Sequence, residues 1–504
     1  MRTLPSWIVI LAAFVVCFVV TALTVPARFG FSPDSWSYFD LAESFWRHPY
    51  QAWGLRQFQS VTPYSNSFPP LWPLVLVPFV RVAGIWGTYI AALLAYAGFA
   101  AASEALSHRW FSRRGIGLLS ATLLFAFSGV QGELAGGRSI PLALMWLALI
   151  ALEMPRGARE PRHAAVYGML IGASVMTRFD ALPSALVFLA GLLWLGAGAR
   201  LFTYACGAFV LVISPWIVYS IAHFHTPFAT DNSATALAAT YTFVLDFHAN
   251  RVPTLFDAPR QWLAKLLHAA ATARSALRQA IADTFFVPIL LALVAVGIVI
   301  RGSSSRERPG RSPFLPRDAY VTLAAVAAAF VAFYVTGYFD WRYFTSSFWL
   351  IELVALAYIA RELPRHFDIV ACLVAVSCVA VLSWPLSRSP RLIDAAYLRD
   401  VADRHDVDSL RTCLLRDGAN ARDLAVFSHD VERLTTYRFA ALASWRATQL
   451  PTNWPSLSEH ERAVFLERFS VRYWIGDQAP VNVASISRVS CGYPVQRIGT
   501  AGPG

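Results

Sequence analysis

The sequence predicts an all-α polytopic membrane protein that carries a small α/β domain at its C-terminal end. Of the 504 residues, 56% are hydrophobic, and the mean hydropathy is +0.48. A soluble fold could not bury so much apolar surface. From about residue 387 the chain becomes charged and polar. We therefore predict a transmembrane domain over residues 1–386 and an extracytoplasmic α/β domain over residues 387–504.

Eleven apolar segments are candidate spans, judged against the about 20 apolar residues that a helix needs to cross a bilayer. They are residues 7–25, 85–106, 115–130, 140–152, 164–176, 181–195, 201–221, 285–300, 319–338, 344–360 and 369–386. Residues 71–82 are also apolar, but this segment is short and contains Pro73 and Pro78. A re-entrant or interfacial helix is favoured there, and whether the segment spans the membrane stays open.

The net charge of +11 would suit a nucleic-acid binder, but the cations lie in short loops between apolar segments. They form three clusters, which are Arg109, Arg113 and Arg114; Arg156, Arg159 and Arg162; and Arg301, Arg306, Arg308, Arg311 and Arg317. Such loops stay on the cytoplasmic side of a membrane. With eleven spans and a cytoplasmic N-terminus, all three clusters lie inside. We therefore predict no nucleic-acid partner, and an outward-facing first loop (residues 26–70) and C-terminal domain.

Two outer regions have recognisable patterns. Within residues 222–284, apolar side chains recur at helical spacing from Trp262 to Ile281, with arginines among them. This pattern predicts an amphipathic helix on the outer membrane surface. In the C-terminal domain, residues 424–427 and 471–475 are strand-like, and residues 458–469 are helix-like.

Cys413 and Cys491 both lie in the C-terminal domain, which the topology places in an oxidising compartment. A disulfide is one expectation, but spacing does not reveal proximity, so two unrelated thiols are the other. No cysteine spacing indicates a zinc site.

Asp34 lies at the start of a short helix just beyond the first span. Ser32 followed by Pro33 is typical of an N-cap and the first helical position, and Tyr38 then shares a face with Asp34. An acid in a first helical turn also suits the helix dipole. From these residues alone, a purely structural Asp34 remains open.

Three further polar groups are predicted at the outer ends of spans. They are Arg178 with Asp180, Arg342 and Tyr343 with Asp340, and Glu133 and Arg138 around a glycine-rich turn. Any single arginine there could be a snorkelling side chain that pairs with its local acid. Three arginines on the same face as Asp34 indicate that at least one of them has a function.

These features together resemble the polytopic glycosyltransferases of the GT-C superfold, especially those similar to glycosyltransferase family 39. The resemblance is carried by an acid with a tyrosine one turn later (Asp34 and Tyr38), the Pro-Pro-Leu-Trp-Pro sequence at 69–73, Thr177-Arg178, and Arg342-Tyr343. Relatives often have a second acid where this chain has Ser35. Some have a basic residue where it has Phe68, and Arg56 is the candidate to replace it.

The resemblance implies a bacterial inner-membrane glycosyltransferase, a hexosyl- or pentosyltransferase acting with inversion. The donor would be a sugar on a polyprenyl-phosphate lipid carrier, and the acceptor an envelope glycan, glycolipid or protein. Asp34 would be the catalytic base, and donor-phosphate or substrate contacts would come from Tyr38, Arg56, Arg138, Arg178, Arg342 and Tyr343. The sequence shows no dedicated ligand cluster, so a divalent metal stays undecided.

A polytopic transporter is the alternative from another class. Transporters place ionisable residues near the bilayer centre and often show repeated halves, whereas these charges cluster at one face and no repeat is visible. A third alternative is a non-catalytic membrane scaffold that presents the C-terminal domain. Such a scaffold would have no use for Asp34, Arg178 and Arg342 on one face.

Overall fold

The computed structural model describes most of the chain. The described residues are 6–25, 31–48, 50–54, 64–230, 238, 246–248, 253–254, 257, 261–284, 287–304, 315–336, 341–361, 403–428, 434–476 and 486–498. Arg56, Asp340, the predicted span at 369–386 and the predicted domain boundary after residue 386 lie outside these ranges.

The described part of the chain up to Arg361 is α-helical. Its helices are α1 Ser6–Thr24, α2 Pro33–Ser44, α3 Leu71–Ala83, α4 Ile85–Phe111, α5 Ile116–Phe125, α6 Ser128–Ala135, α7 Ile140–Gly157, α8 Pro161–Thr177, α9 Leu182–Trp194, α10 Ala199–Phe224, α11 Trp262–Asp283, α12 Val287–Ser304, α13 Arg317–Thr336 and α14 Thr345–Arg361. Two short 3₁₀ turns, Phe179–Ala181 and Trp341–Phe344, precede α9 and α14.

Several of these helices can cross a membrane. Among the described residues, five are long and apolar enough, or up to seven if each of two bent helix pairs is one span. The predicted polytopic helical membrane protein is therefore confirmed, while the count of eleven spans stays a prediction. Helix α3 is one of the shorter apolar helices, and its 13 residues agree with the predicted short helix.

One predicted span is not continuous. The apolar stretch 115–130 divides into α5 and α6, which meet at an angle of 80°. The break falls where Phe127 has an extended backbone and where the following segment is rich in glycine and polar residues. The Asp283 carboxylate accepts a hydrogen bond of 2.6 Å from the Ser128 amide at the start of α6. The bend turns Glu133, near the end of α6, into the buried interior.

Close helix packing holds α8 beside α10. A side chain at Gly168 would clash with the backbone of Ala205 on α10, and one at Gly172 would lie 2.7 Å from Val212. Because both positions lack a Cβ, the two helices can approach closely. Arg178 follows directly as the C-cap of α8.

Helix α11 is the predicted amphipathic helix. Its Ala269, Ala276 and Ala280 are buried, whereas Leu263 is 67% and Leu267 62% exposed. The axis of α11 makes an angle of 88° with the apolar part of α12, Val287–Val296. Such a bend is expected where a surface helix leads into a span. Its position on the outer surface stays a prediction.

The described C-terminal residues form a five-stranded mixed sheet with flanking helices. The strands are β1 Leu424–Phe427, β2 Ala447–Gln449, β3 Val471–Ile475, β4 Ile486–Ser490 and β5 Pro494–Ile498, and the helices are α15 His405–Arg416, α16 Thr436–Ala443 and α17 Glu459–Arg468. The strand order is β2-β1-β3-β5-β4. Strand β1 is parallel to β2 and β3, and β5 is antiparallel to β3 and β4. The predicted strands β1 and β3 and the helix α17 are confirmed.

The two C-terminal cysteines are bonded. Cys413 near the end of α15 and Cys491 after β4 form a disulfide with a Cα–Cα distance of 5.5 Å. Of the two expectations from the sequence, the disulfide is confirmed. The bond ties α15 to the edge hairpin of the sheet.

Candidate functional site

Asp34, the candidate catalytic acid, lies on a well-capped helix. At the start of α2, the Ser32 hydroxyl accepts a bond from the Ser35 amide, and the Ser35 hydroxyl accepts one from the Ser32 amide. This reciprocal capping box gives Ser35 a structural role, at the position where relatives often carry a second acid. Asp34 lies between them with its side chain 26% exposed, so it can reach a bound molecule.

Two arginines and two acids form a connected cluster. The Nη1 atom of Arg342 lies 3.7 Å from Oδ2 of Asp34 and 3.4 Å from Oε1 of Glu133. The same Glu133 oxygen lies 3.0 Å from Nη1 of Arg138. Glu133 is buried, with its side chain only 2% exposed, so it requires cationic partners there. With two positive and two negative side chains, these four residues carry no net charge when all are ionised.

A tight turn brings Arg138 back to Glu133. The Arg138 amide donates to the Glu133 carbonyl at 2.8 Å, and its guanidinium donates to the Gly132 carbonyl at 2.9 Å. Gly137 has a positive φ of 60°, which glycine adopts without strain. Its carbonyl accepts a 3.0 Å bond from the indole of Trp72 on α3. The short helix α3 therefore supports the turn that positions this cluster.

Arg178 lies beside the cluster and has its own acid. Its Nη2 donates to Oδ2 of Asp180 at 2.7 Å and its Nε donates to Oδ1 at 3.1 Å, which is a fork-like pairing. Its Nη1 donates to the Ser139 hydroxyl at 3.3 Å, and that hydroxyl is 3.2 Å from the Tyr38 hydroxyl. Burial raises the pKa of Tyr38, with Arg178 as the strongest opposing influence. Tyr38 is therefore a neutral hydrogen-bonding group between α2 and Arg178.

The ring of Tyr343 joins the two halves of the site. The guanidinium carbon of Arg178 is 5.3 Å from the ring centroid, and that of Arg342 is 5.5 Å. Both distances are within the range of cation–π attraction. One aromatic ring thus spaces two guanidinium groups that come from the ends of different helices.

A cavity of about 110 Å³ extends from these arginines between the helices. Arg178, Asp180, Arg342 and Tyr343 line it together with apolar side chains of α7, α8, α9 and α13, among them Ile140, Leu144, Leu147, Ile150, Ile171, Phe188 and Val326. Since a helix rises about 1.5 Å per residue, Ile140 and Ile150 are about 15 Å apart along α7. The cavity is therefore elongated and mostly apolar. Its two arginines, Arg178 and Arg342, lie at the ends of the surrounding helices.

The structure brings together most of the residues that the sequence predicted. Asp34, Tyr38, Arg138, Arg178, Arg342 and Tyr343 all belong to this site, and Arg56 lies outside the described residues. Sequence reasoning noticed Glu133 but did not identify it as the shared partner of two arginines. It missed Ser139, for which no sequence signal exists. Within the described ranges, no three His, Cys, Asp or Glu side chains form a metal-binding group.

Comparison with known proteins gives structural similarity only. No protein family model and no curated protein sequence matches this chain. The crystal structure of the Archaeoglobus fulgidus oligosaccharyltransferase with zinc and sulfate aligns with a TM-score of 0.51 and 12% identity, over 93% of this chain and 68% of that chain. ArnT from Cupriavidus metallidurans bound to undecaprenyl phosphate aligns with a TM-score of 0.46 and 13% identity, over 99% of both chains.

The archaeal oligosaccharyltransferase in its apo form gives the same TM-score of 0.51, with 12% identity, over 94% of this chain and 70% of that chain. Similarity at this level of identity defines the fold and not the activity. The chain has the fold of this archaeal oligosaccharyltransferase. The predicted GT-C-like fold is therefore confirmed, and the narrower assignment to family 39 stays a prediction.

Proposed function

We propose that this protein is a membrane glycosyltransferase that transfers a sugar from a polyprenyl-phosphate lipid carrier to an envelope glycan, glycolipid or protein. The reaction would take place at the outer face of the bacterial cytoplasmic membrane. The observation that supports this most is the placement of Asp34 within 3.7 Å of Arg342, with Arg342 also lining an apolar cavity. A candidate base, a candidate phosphate-binding cation and an apolar cavity meet at one place.

The cavity supports a lipid carrier as the donor. A polyprenyl chain is apolar and long, and it would lie against the aliphatic side chains between α7, α8 and α13. Its phosphate would remain near the arginines, because an anion is stabilised by guanidinium groups and is costly to bury alone. A free nucleotide sugar would have no need of such an apolar cavity.

Asp34 is proposed as the catalytic base. The acceptor hydroxyl would transfer its proton to the Asp34 carboxylate while its oxygen forms a bond to the anomeric carbon. The bond between that carbon and the phosphate oxygen would break, and the electron pair would leave with the phosphate. Attack on the side opposite to the leaving group would invert the anomeric configuration. The neighbouring Arg342 places a positive charge 3.7 Å from this carboxylate.

Arg342 and Arg178 are proposed to hold the donor phosphate. The leaving phosphate gains one negative charge, and positioned cations stabilise that charge in the transition state. Arg342 is the stronger candidate, because it lies 3.7 Å from the proposed base Asp34 and also lines the apolar cavity. Arg178 is already paired with Asp180 at 2.7 Å. For Arg178 we propose a supporting role, in which it holds the Tyr343 ring and the Ser139 hydroxyl in position.

Mass spectrometry of envelope glycans and glycolipids tests the proposed function. Cells that lack the gene should lose one sugar from one class of envelope molecule, and the wild-type gene should restore it. A gene carrying Asp34→Asn should not restore it, although the protein reaches the membrane at a normal level. Identical glycan and glycolipid profiles with and without the gene would contradict the proposal.

A further inference from the structure

A second carboxylate on α2 has no role in the site described above. Asp40 lies six residues after Asp34, about 9 Å further along the helix, and it is only 2% exposed. Its Oδ2 atom accepts hydrogen bonds from the backbone amides of Trp53 at 2.7 Å and Gly54 at 3.2 Å. A buried carboxylate that binds two successive amides fixes the backbone of that segment.

The same segment is bound a second time by α2. The Ser44 hydroxyl, one turn after Asp40, donates to the Gln51 carbonyl at 3.0 Å. Between them, Asp40 and Ser44 therefore bind one backbone carbonyl and two backbone amides of residues 51–54. We call these four residues the loop strand.

The loop strand continues the C-terminal sheet. Gly54 forms a parallel bridge with Ala447 of the edge strand β2, and the Ala447 amide donates to the Trp53 carbonyl at 3.2 Å. The Trp53 side chain packs against the apolar core of the C-terminal sheet. The loop strand thus binds α2 through its amides and β2 through the Trp53 carbonyl.

Helix α16 of the C-terminal region also packs on α2. Tyr437 and Ala441 belong to the same buried cluster as Trp36, and the Arg438 guanidinium lies 6.0 Å from the Trp36 ring. A Cβ at Gly54 would lie 3.0 Å from the Tyr437 ring. The contact between α2, the loop strand and the C-terminal sheet is therefore close and specific.

We propose that Asp40 is a positioning residue that docks the helix carrying Asp34 onto the C-terminal sheet through the loop strand. The C-terminal sheet is then part of the frame of the site, because it holds the orientation of α2. The link to catalysis rests on the proposed function, whereas the docking itself does not.

The docking should respond to pH, with a definite sign. Burial raises the pKa of Asp40 from 3.8 to about 7; its two amide bonds oppose this, and Glu43 on the same helix adds to it. Other charged or titratable groups nearby are His48, which contacts Trp53, and Arg438 of α16. Since the docked state favours protonated Asp40, docking is strongest at low pH and weakens as the pH rises from about 4 to 7.

Hydrogen–deuterium exchange of the full-length protein in lipid nanodiscs tests the docking. Asp40→Ala should raise exchange at least tenfold in peptides that cover residues 50–54 and 446–449, and should leave β3 to β5 protected. Asp40→Asn resembles the protonated acid and should keep the protection. It should also remove the loss of protection that we expect for the wild-type protein as the pH rises from about 4 to 7. Glu43→Gln, on the exposed side of the same helix, is the matched control for the comparison at a single pH. Asp408→Asn, at an exposed position of α15, is the control for the pH series.

Kinetics test the link to the site. Asp40→Ala should lower kcat of sugar transfer at least tenfold, with KM for the donor within about twofold of wild type. If Asp40→Ala does not fold, Gly54→Val replaces it, because its side chain would meet Tyr437 and separate the same surfaces. A folded Asp40→Ala protein with wild-type exchange overturns the docking role. Increased exchange with unchanged kcat overturns the positioning role, and absence of transfer in the wild type counts against the proposed function alone.

Discussion

Arg342 lies between two acids from different parts of the chain, 3.7 Å from Asp34 and 3.4 Å from Glu133. Asp34 comes from α2, Glu133 from α6, and Arg342 from the turn before α14. The single guanidinium therefore fixes where three segments meet. In the proposed reaction it stabilises both the base and the leaving phosphate.

Asp34→Asn should reduce sugar transfer by at least about 100-fold, because general base catalysis contributes about 10²–10⁴ to a rate. Asparagine keeps the size of the side chain but cannot take the proton. Transfer is measured with purified protein, and folding is checked by thermal unfolding. Asp257→Asn, in an exposed turn, serves as control. Activity of the Asp34→Asn protein within a few-fold of wild type would remove Asp34 from the role of base.

Arg342→Lys should weaken binding of a polyprenyl-phosphate sugar by at least tenfold. An ammonium group carries the charge but cannot bind a phosphate and two carboxylates in the planar geometry of a guanidinium. Binding is measured by titration in detergent or nanodiscs, with Arg200→Lys at the exposed start of α10 as the control. Equal affinity of the wild-type and Arg342→Lys proteins would place the phosphate elsewhere.

Glu133→Gln should destabilise the protein, because Arg138 would lose its buried counter-charge. Breaking one side of a buried ion pair costs about 3–5 kcal/mol, and Arg342 would lose its contact with the Glu133 carboxylate as well. The melting temperature reports the loss. Adding Arg138→Met to Glu133→Gln should recover part of it, since the remaining charge is removed. An unchanged melting temperature of the single variant would show that the ion pair between Glu133 and Arg138 does not stabilise the protein.

The topology makes a separate prediction. The three arginine clusters place the N-terminus in the cytoplasm and the C-terminal domain outside. Reporter fusions at Gly302 and Gly504 should therefore give opposite signals, with Gly302 inside. If both fusions report the same side, the eleven-span topology fails, and the outer location of the site fails with it.

The sequence was most informative where a local rule determines structure. The capped start of α2, the amphipathic α11 and the strands β1 and β3 follow from spacing and composition, and they were predicted. The break at Phe127 was missed because the hydropathy of residues 115–130 is continuous. At the bend, the Ser128 amide donates a hydrogen bond to the carboxylate of Asp283, which is distant in sequence.

The site itself could be predicted only as a set of residues on one face. Which acid pairs with which arginine depends on the fold: Arg178 keeps its neighbour Asp180, whereas Arg342 reaches across to Asp34 and Glu133. The role of Asp40 could not be read from sequence either, because its partners are backbone amides. Backbone partners leave no residue pattern.

The central claim is that this site transfers sugar from a lipid phosphate, and a transfer assay tests it most directly. Purified protein would be incubated with polyprenyl-phosphate sugars labelled in the sugar, and with membranes from cells that lack the gene, which should accumulate unmodified acceptor. The account predicts that label enters a membrane glycan, glycolipid or protein with the wild-type protein and not with Asp34→Asn. Transfer of equal extent by both proteins, or no transfer from any polyprenyl-phosphate sugar by a folded wild-type protein, would contradict it.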